Sequence, residues 1–125
     1  MKKLSFTFLT LMVASLLTAC GSKDATLRYI SYNIRYGTAD DGDNAWEFRQ
    51  SATKKMIETE QPTVLGLQEA LSMQLDFIDE NFPQFSRVGV GRDDGKEAGE
   101  FSALLYRNDL YDLLDSGNFW LSETP

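Results

Sequence analysis

A short apolar run, Thr63 to Leu67, lies between two amphipathic helical patterns, and this arrangement constrains the fold more than any other feature of the chain. Before the run, Phe48, Ala52, Met56 and Ile57 recur at helical spacing within Glu47 to Glu60, with charges between them. After it, Leu71, Leu75, Ile78 and Phe82 predict an amphipathic helix over Ala70 to Phe82. Pro62 and Pro83 follow the two patterns and punctuate them. An uninterrupted apolar run between two such helices reads as a strand buried on both sides. Leu27 to Asn33 is β-branched and aromatic enough for a strand ahead of the first helix. Two strands joined through a helix pair in parallel by a right-handed crossover.

The second half reads differently. Phe85 to Val90 and Glu100 to Tyr106 are strands, with Arg92 to Lys96 an Asp-Asp-Gly turn between them. Tyr111 to Leu114 and Phe119 to Leu121 read as two further short strands about an Asp-Ser-Gly-Asn turn. Closely spaced strands of this kind pair as hairpins. The order β-α-β-α-β-β-β-β predicts an α/β (α+β) fold, a mixed sheet with helices on one face. The opposite face is expected to be apolar and to need a cover that these residues do not supply.

The first residues read as an address. Met1-Lys2-Lys3 is a short positive start, and Leu4 to Thr18 carries no charge and is too short for a comfortable membrane span. Leu17-Thr18-Ala19-Cys20, followed by Gly21-Ser22, resembles a bacterial lipobox, in which the cysteine is lipidated. An ordinary signal peptide with a chance cysteine is the alternative. The lipobox reading is preferred because Cys20 is the chain's one cysteine, and an exported domain gains little from a free thiol. The expected organisation is a signal peptide over 1–19, a lipidated Cys20 and tether over 20–26, and a domain over 27–125. The expected location is the bacterial cell envelope, with the protein anchored to a membrane through Cys20. Loss of Lys2 and Lys3 with the leader takes the net charge from −7 to −9. An acidic domain of that kind has no basic face for nucleic acid.

The chain has no histidine, which excludes an imidazole base or a Ser-His-Asp triad within it. One cysteine excludes a cysteine-rich zinc site. A metal would therefore be held by carboxylate, amide or carbonyl oxygens, which favours Mg²⁺, with Mn²⁺ or Ca²⁺ also suited. Two such residues end the first two strands. Asn33 closes Ser31-Tyr32-Asn33, and Glu69 closes Leu67-Gln68-Glu69. Parallel neighbours bring their carboxyl ends to one sheet edge, where α/β folds bind ligands. Taken singly, Asn33 is equally a turn residue and Glu69 equally a helix-start charge. Asp40, Asp41 and Asp43 lack the spacing and distant Glu of an EF-hand and read as a solvated loop. Trp46 and Phe48 are expected to pack that loop onto the sheet.

The wider pattern resembles a known family. Tyr32-Asn33-Ile34-Arg35, Trp46, Arg49 and Leu67-Gln68-Glu69 are followed in order by further matching stretches. These are Gly91-Arg92-Asp93-Asp94-Gly95, Gly99-Glu100-Phe101-Ser102-Ala103-Leu104-Leu105-Tyr106-Arg107 and Phe119-Trp120-Leu121-Ser122. Together they resemble the endonuclease/exonuclease/phosphatase (DNase I-like) superfamily, and in particular its exported bacterial members. The resemblance implies half of a four-layer α/β sandwich. It also implies that Glu69 is the principal metal-binding residue and that Asn33 belongs to the metal and phosphate site. By the same resemblance, Glu100 would orient a catalytic His, and Arg35 is a substrate-side basic residue. Arg92 and Asp94 are turn residues that could also contact substrate, Arg92 being kept as a candidate substrate-binding residue.

The family's histidines and its Asp-x-Asn strand end have no counterpart here, so the chain is expected to be the N-terminal part of a longer reading frame. The expected function of that longer protein is Mg²⁺-dependent hydrolysis of a phosphate ester, diester or monoester, with these residues inactive alone. The alternative is a surface lipoprotein that uses the same fold only to bind a ligand. Nothing in the sequence chooses among DNA, RNA, a phospholipid headgroup and a sugar phosphate.

Overall fold

A computed structural model describes residues 26–119 and 121. The expected signal peptide over 1–19, Cys20 and nearly all of the expected tether lie outside these residues, as do Trp120 and 122–125. The elements in chain order are β1 (Tyr29–Asn33), α1 (Trp46–Glu60), β2 (Val64–Ala70), α2 (Ser72–Asn81), β3 (Phe85–Val88) and β4 (Phe101–Arg107). A short 3-10 turn, Gly42–Asn44, leads into α1.

The four strands form one mixed sheet in the order β1-β2-β4-β3. β1 and β2 run parallel, with Tyr29 beside Val64 and Asn33 beside Gln68. β4 lies antiparallel to both β2 and β3. The crossover from β1 to β2 through α1 is the βαβ unit expected from the helical pattern around Pro62. α1 ends on Gln61, whose left-handed backbone (φ 44°) turns the chain out of the helix ahead of Pro62.

Strand alternation divides the sheet into two faces. Ile30, Tyr32, Leu65, Leu67, Ala103 and Leu105 point to one side and build the core with Leu75, Ile78, Ile57 and Trp46 from the helices. Both helices lie on this side. The Tyr32 hydroxyl meets Thr53 Oγ1 of α1 at 3.3 Å. Arg87 of β3 lies 3.6 Å from Asp76 and 3.3 Å from Asp79 of α2. The helices also touch each other, through the edge-to-face pair Trp46–Phe77 (5.4 Å between centroids) and the Lys54–Asn81 hydrogen bond.

The other face carries Tyr29, Val64, Leu104, Tyr106 and Val88 among Ser31, Gln68, Ser86 and Ser102. It is apolar in patches rather than throughout. Tyr29 lies across Gly66, where a Cβ would fall 2.6 Å from the tyrosine oxygen. No other described element covers this face: Tyr29 is 55% exposed and Leu104 38%.

Three expectations need correction. Tyr111 to Leu114 is irregular chain, and Phe119 and Leu121 lie in no strand, so the predicted last hairpin is absent among the described residues. Leu113, Leu114 and Phe119 are exposed. The predicted second helix starts at Ser72, because Ala70 belongs to β2. Phe48 does not pack the loop: it is 61% exposed, whereas Trp46 is buried as expected.

Candidate active site

The site begins with an irregularity in β2. Leu65 and Leu67 face the core, so strict alternation would send residue 69 there too. Instead the pairing with β4 shifts between Leu67 and Ala70. Ala70 takes the core position opposite Phe101, with no exposure, and Glu69 is expelled from the core side. Glu69 accomplishes this with a left-handed backbone (φ 59°), which a non-glycine residue adopts only at a cost. A β-bulge of this kind re-aims one side chain without ending the strand.

The redirected carboxylate meets the end of β1. Asn33 Nδ2 donates to Glu69 Oε1 at 2.7 Å, and the Tyr36 N–H donates to Glu69 Oε2 at 3.2 Å. Asn33 Oδ1 accepts from the Arg35 N–H at 2.9 Å. Both residues line an open cavity of about 410 Å³, shared with Gln68, Arg92, Glu100, Ser102 and Phe119. The Asn33 amide, the Tyr36 N–H and the nearby Arg35 charge hold the Glu69 carboxyl below its usual range. Hydrogen bonds to the ionised form produce a shift in this direction.

The other candidates fall in two places. Glu100 lines the same cavity, and its Oε2 accepts from Arg92 Nη1 at 2.6 Å. Arg92 lines the cavity as well, and its backbone N–H also donates to the Glu100 carbonyl at 3.0 Å, so the pair sits side by side in one wall. Arg35 lies just outside. Its guanidinium donates twice to Asp41, at 2.9 and 2.8 Å, and does not line the cavity. That pair raises the Arg35 pKa and lowers that of Asp41. Asp41 is thus a partner of Arg35, whereas Asp40 and Asp43 are exposed. Asp94 closes the turn before β4: its Oδ1 accepts from the Lys96 and Ala98 N–H groups.

Two residues that matter here have no role assigned from the sequence: Arg49, which the family pattern includes without a function, and Gln74, which it does not include. Arg49 of α1 donates to the carbonyl oxygens of Ile34 and Asn44, both at 2.6 Å, while stacking on Trp46. Gln74 of α2 is completely buried and bonds to the Arg35 carbonyl and the Leu71 N–H. Its signal was available: a glutamine stands inside the apolar stripe of Leu71, Leu75 and Ile78. A buried polar group of this kind is retained only with partners.

No group of three or more acidic, His or Cys side chains that could hold a metal is found among the described residues. What they offer is one carboxylate, fixed by two donors, held ionised and facing an open cavity. That donor set suits Mg²⁺, which keeps several waters and takes one or two carboxylates together with substrate phosphate oxygens. It suits Ca²⁺ less, since calcium prefers six to eight oxygen ligands.

No family model and no curated protein matches the chain. Solved structures do. An endonuclease/exonuclease/phosphatase from Bacteroides vulgatus is 40% identical with a TM-score of 0.74, over 78% of this chain and 37% of the other. A protein of the same family from Bacteroides thetaiotaomicron is 41% identical with the same TM-score, over 79% and 37%. The chain belongs to the endonuclease/exonuclease/phosphatase superfamily. A mannosyl-6-phosphatase from Bacteroides thetaiotaomicron is also similar, at 39% identity and a TM-score of 0.74, over 80% and 38%. The chain thus spans a little over a third of the length of these endonuclease/exonuclease/phosphatase proteins. Its mixed sheet with two helices on one face is part of the DNase I-like architecture.

Proposed function

We propose that the complete protein is a Mg²⁺-dependent phosphoesterase and that this chain supplies the Glu69 and Asn33 part of its site. The observation that carries the reading is the Glu69 carboxylate, turned out of the core by the bulge and fixed by Asn33 at 2.7 Å. Mg²⁺, when bound at Glu69, would polarise a phosphoryl oxygen and offset the charge that develops there. Asn33 holds the carboxylate in one rotamer, and its remaining amide hydrogen is available to a phosphoryl oxygen. Arg92, in the cavity wall, offers a cation to the substrate's remaining phosphate oxygens. Glu100, whose carboxylate accepts from Arg92, would by the family resemblance orient a histidine from outside this chain. The share of the relatives that the chain spans supports that division of labour.

A sugar phosphate monoester is the first substrate class to test, because one similar protein is a mannosyl-6-phosphatase. The acidic charge of the chain also weighs against DNA. The leader further supports an exported protein held in the cell envelope by lipid on Cys20. Radiolabelled palmitate should enter the native protein and fail to enter a Cys20→Ala variant.

The deciding experiment uses the complete gene product with Mg²⁺, assayed on p-nitrophenyl phosphate, bis-p-nitrophenyl phosphate and mannose 6-phosphate. Turnover that Glu69→Gln removes supports the proposal. Absence of metal-dependent turnover on all three, with intact folding, favours a lipoprotein that only binds a ligand.

A further inference from the structure

We infer that Gln74 is a positioning residue for the Asn33–Glu69 centre, linking the two backbone segments that carry these side chains. The inference rests on the reading of Glu69 as the metal-holding group.

The two segments come from different strands and need a fixed spacing. One is the turn Asn33 to Gly37 after β1, in which Arg35 has a left-handed backbone (φ 66°). The other is Glu69 to Leu71, in which Glu69 has φ 59°. Gln74 reaches both. Its Nε2 donates to the Arg35 carbonyl at 2.9 Å, and its Oε1 accepts from the Leu71 N–H at 3.0 Å. Gly37 lies flat against the same amide, where a Cβ would fall 2.7 Å from Gln74 Cδ. The side chain is fully buried, so water cannot replace either partner.

Capping α2 accounts for only half of this. Leu71 has no side-chain acceptor, and Gln74 satisfies its N–H in the manner of the third residue of a capping box. The cap does not require the bond to Arg35, which is 39 residues away in sequence. That second bond fixes the turn whose Asn33 and Tyr36 groups grip Glu69. Groups that orient metal ligands in this indirect way typically change metal affinity by about 10- to 100-fold when removed.

The test separates the cap from the link in the complete gene product. Gln74→Met removes both bonds at similar volume. Gln74→Glu, studied at pH 8, keeps the acceptor for Leu71 and loses the donor to Arg35. Mn²⁺ alone is titrated calorimetrically into each, well below its melting temperature. Both variants should bind Mn²⁺ about tenfold more weakly than the native protein. Hydrogen exchange at the Arg35 and Tyr36 amides should also quicken in both.

Weakening in Gln74→Met alone would reduce Gln74 to a helix cap and overturn the inference. Unchanged affinity and exchange in both variants would overturn it as well. If Gln74→Met does not fold, Gly37→Ala takes its place, since the added methyl displaces the same amide, and it should weaken Mn²⁺ to a similar degree. Native protein without a Glu69-dependent Mn²⁺ site would refute the metal reading instead. In that case amide exchange at Arg35 and Tyr36 still decides whether Gln74 links the segments.

Discussion

Asn33 and Glu69 stand 36 positions apart in sequence, yet the Asn33 amide donates to the Glu69 carboxylate at 2.7 Å. The bond joins the carboxyl ends of two parallel strands, and β1 and β2 deliver the two residues side by side because Asn33 pairs with Gln68. Its direction also assigns roles. Nitrogen faces the carboxylate and oxygen faces the Arg35 N–H, so Asn33 steadies Glu69.

Removing the carboxylate should therefore cost more than removing its support. Glu69→Gln should lower kcat/KM on a phosphate ester by about 10²-fold or more, since it deletes the electrostatic centre itself. Asn33→Ala should cost about 10-fold or more through misorientation. Steady-state kinetics at saturating Mg²⁺ would check both, and equal losses would contradict this division of roles.

The turn before β4 has a readable pH dependence. Asp94 accepts from the Ala98 and Lys96 N–H groups, and these bonds lower its pKa from the ordinary 3.8. A carboxyl depressed on folding contributes stability above its unfolded value, and that contribution is lost as pH falls through the lower folded value. Protection of the Lys96 and Ala98 amides, measured against their intrinsic exchange rates at each pH, should hold at neutral pH and fall away below about pH 3.8. Asp94→Ala should lack that protection already at neutral pH.

The core should answer to volume alone. Leu65 and Leu105 pair across β2 and β4 and are both fully buried. Leu65→Ala should destabilise by about 2–5 kcal/mol, through lost burial and the cavity left behind. Urea unfolding of the complete gene product would measure it, and the slope with denaturant should not change.

The face bearing Tyr29, Val64, Leu104 and Tyr106 should govern how residues 27–125 behave when produced alone. Exposed apolar patches of this kind drive self-association. Sedimentation should show concentration-dependent association that Leu104→Lys reduces. A monomer that is unaffected by the substitution would contradict this.

Much of the arrangement could be read from local pattern. The helical stripe around Met56 and Ile57 and the run at Thr63 to Leu67 determined the βαβ unit, because periodicity and burial agreed there. Asn33 and Glu69 were placed at one edge by strand polarity alone. The bulge was not legible, since it depends on Ala70 meeting Phe101 across β4 rather than on any local residue preference. Gln74 escaped for a related reason. Its partners, Arg35 and Gly37, are remote in sequence, and an isolated glutamine in an apolar stripe gives no hint of what it will meet. Tyr111 to Leu114 and Phe119 carry apolar and aromatic residues that suit a strand, but local composition did not decide there, and they form none.

The left-handed backbone at Glu69 sets stability and chemistry against each other at one position. Glycine would relax the backbone but remove the carboxylate, and asparagine would sit more easily but fall short of the same point. Any screen for a more heat-resistant protein should thus select replacements at 69 that are better folded and useless. In random libraries sorted only for stability, loss of glutamate there would mark strain that had been maintained for function.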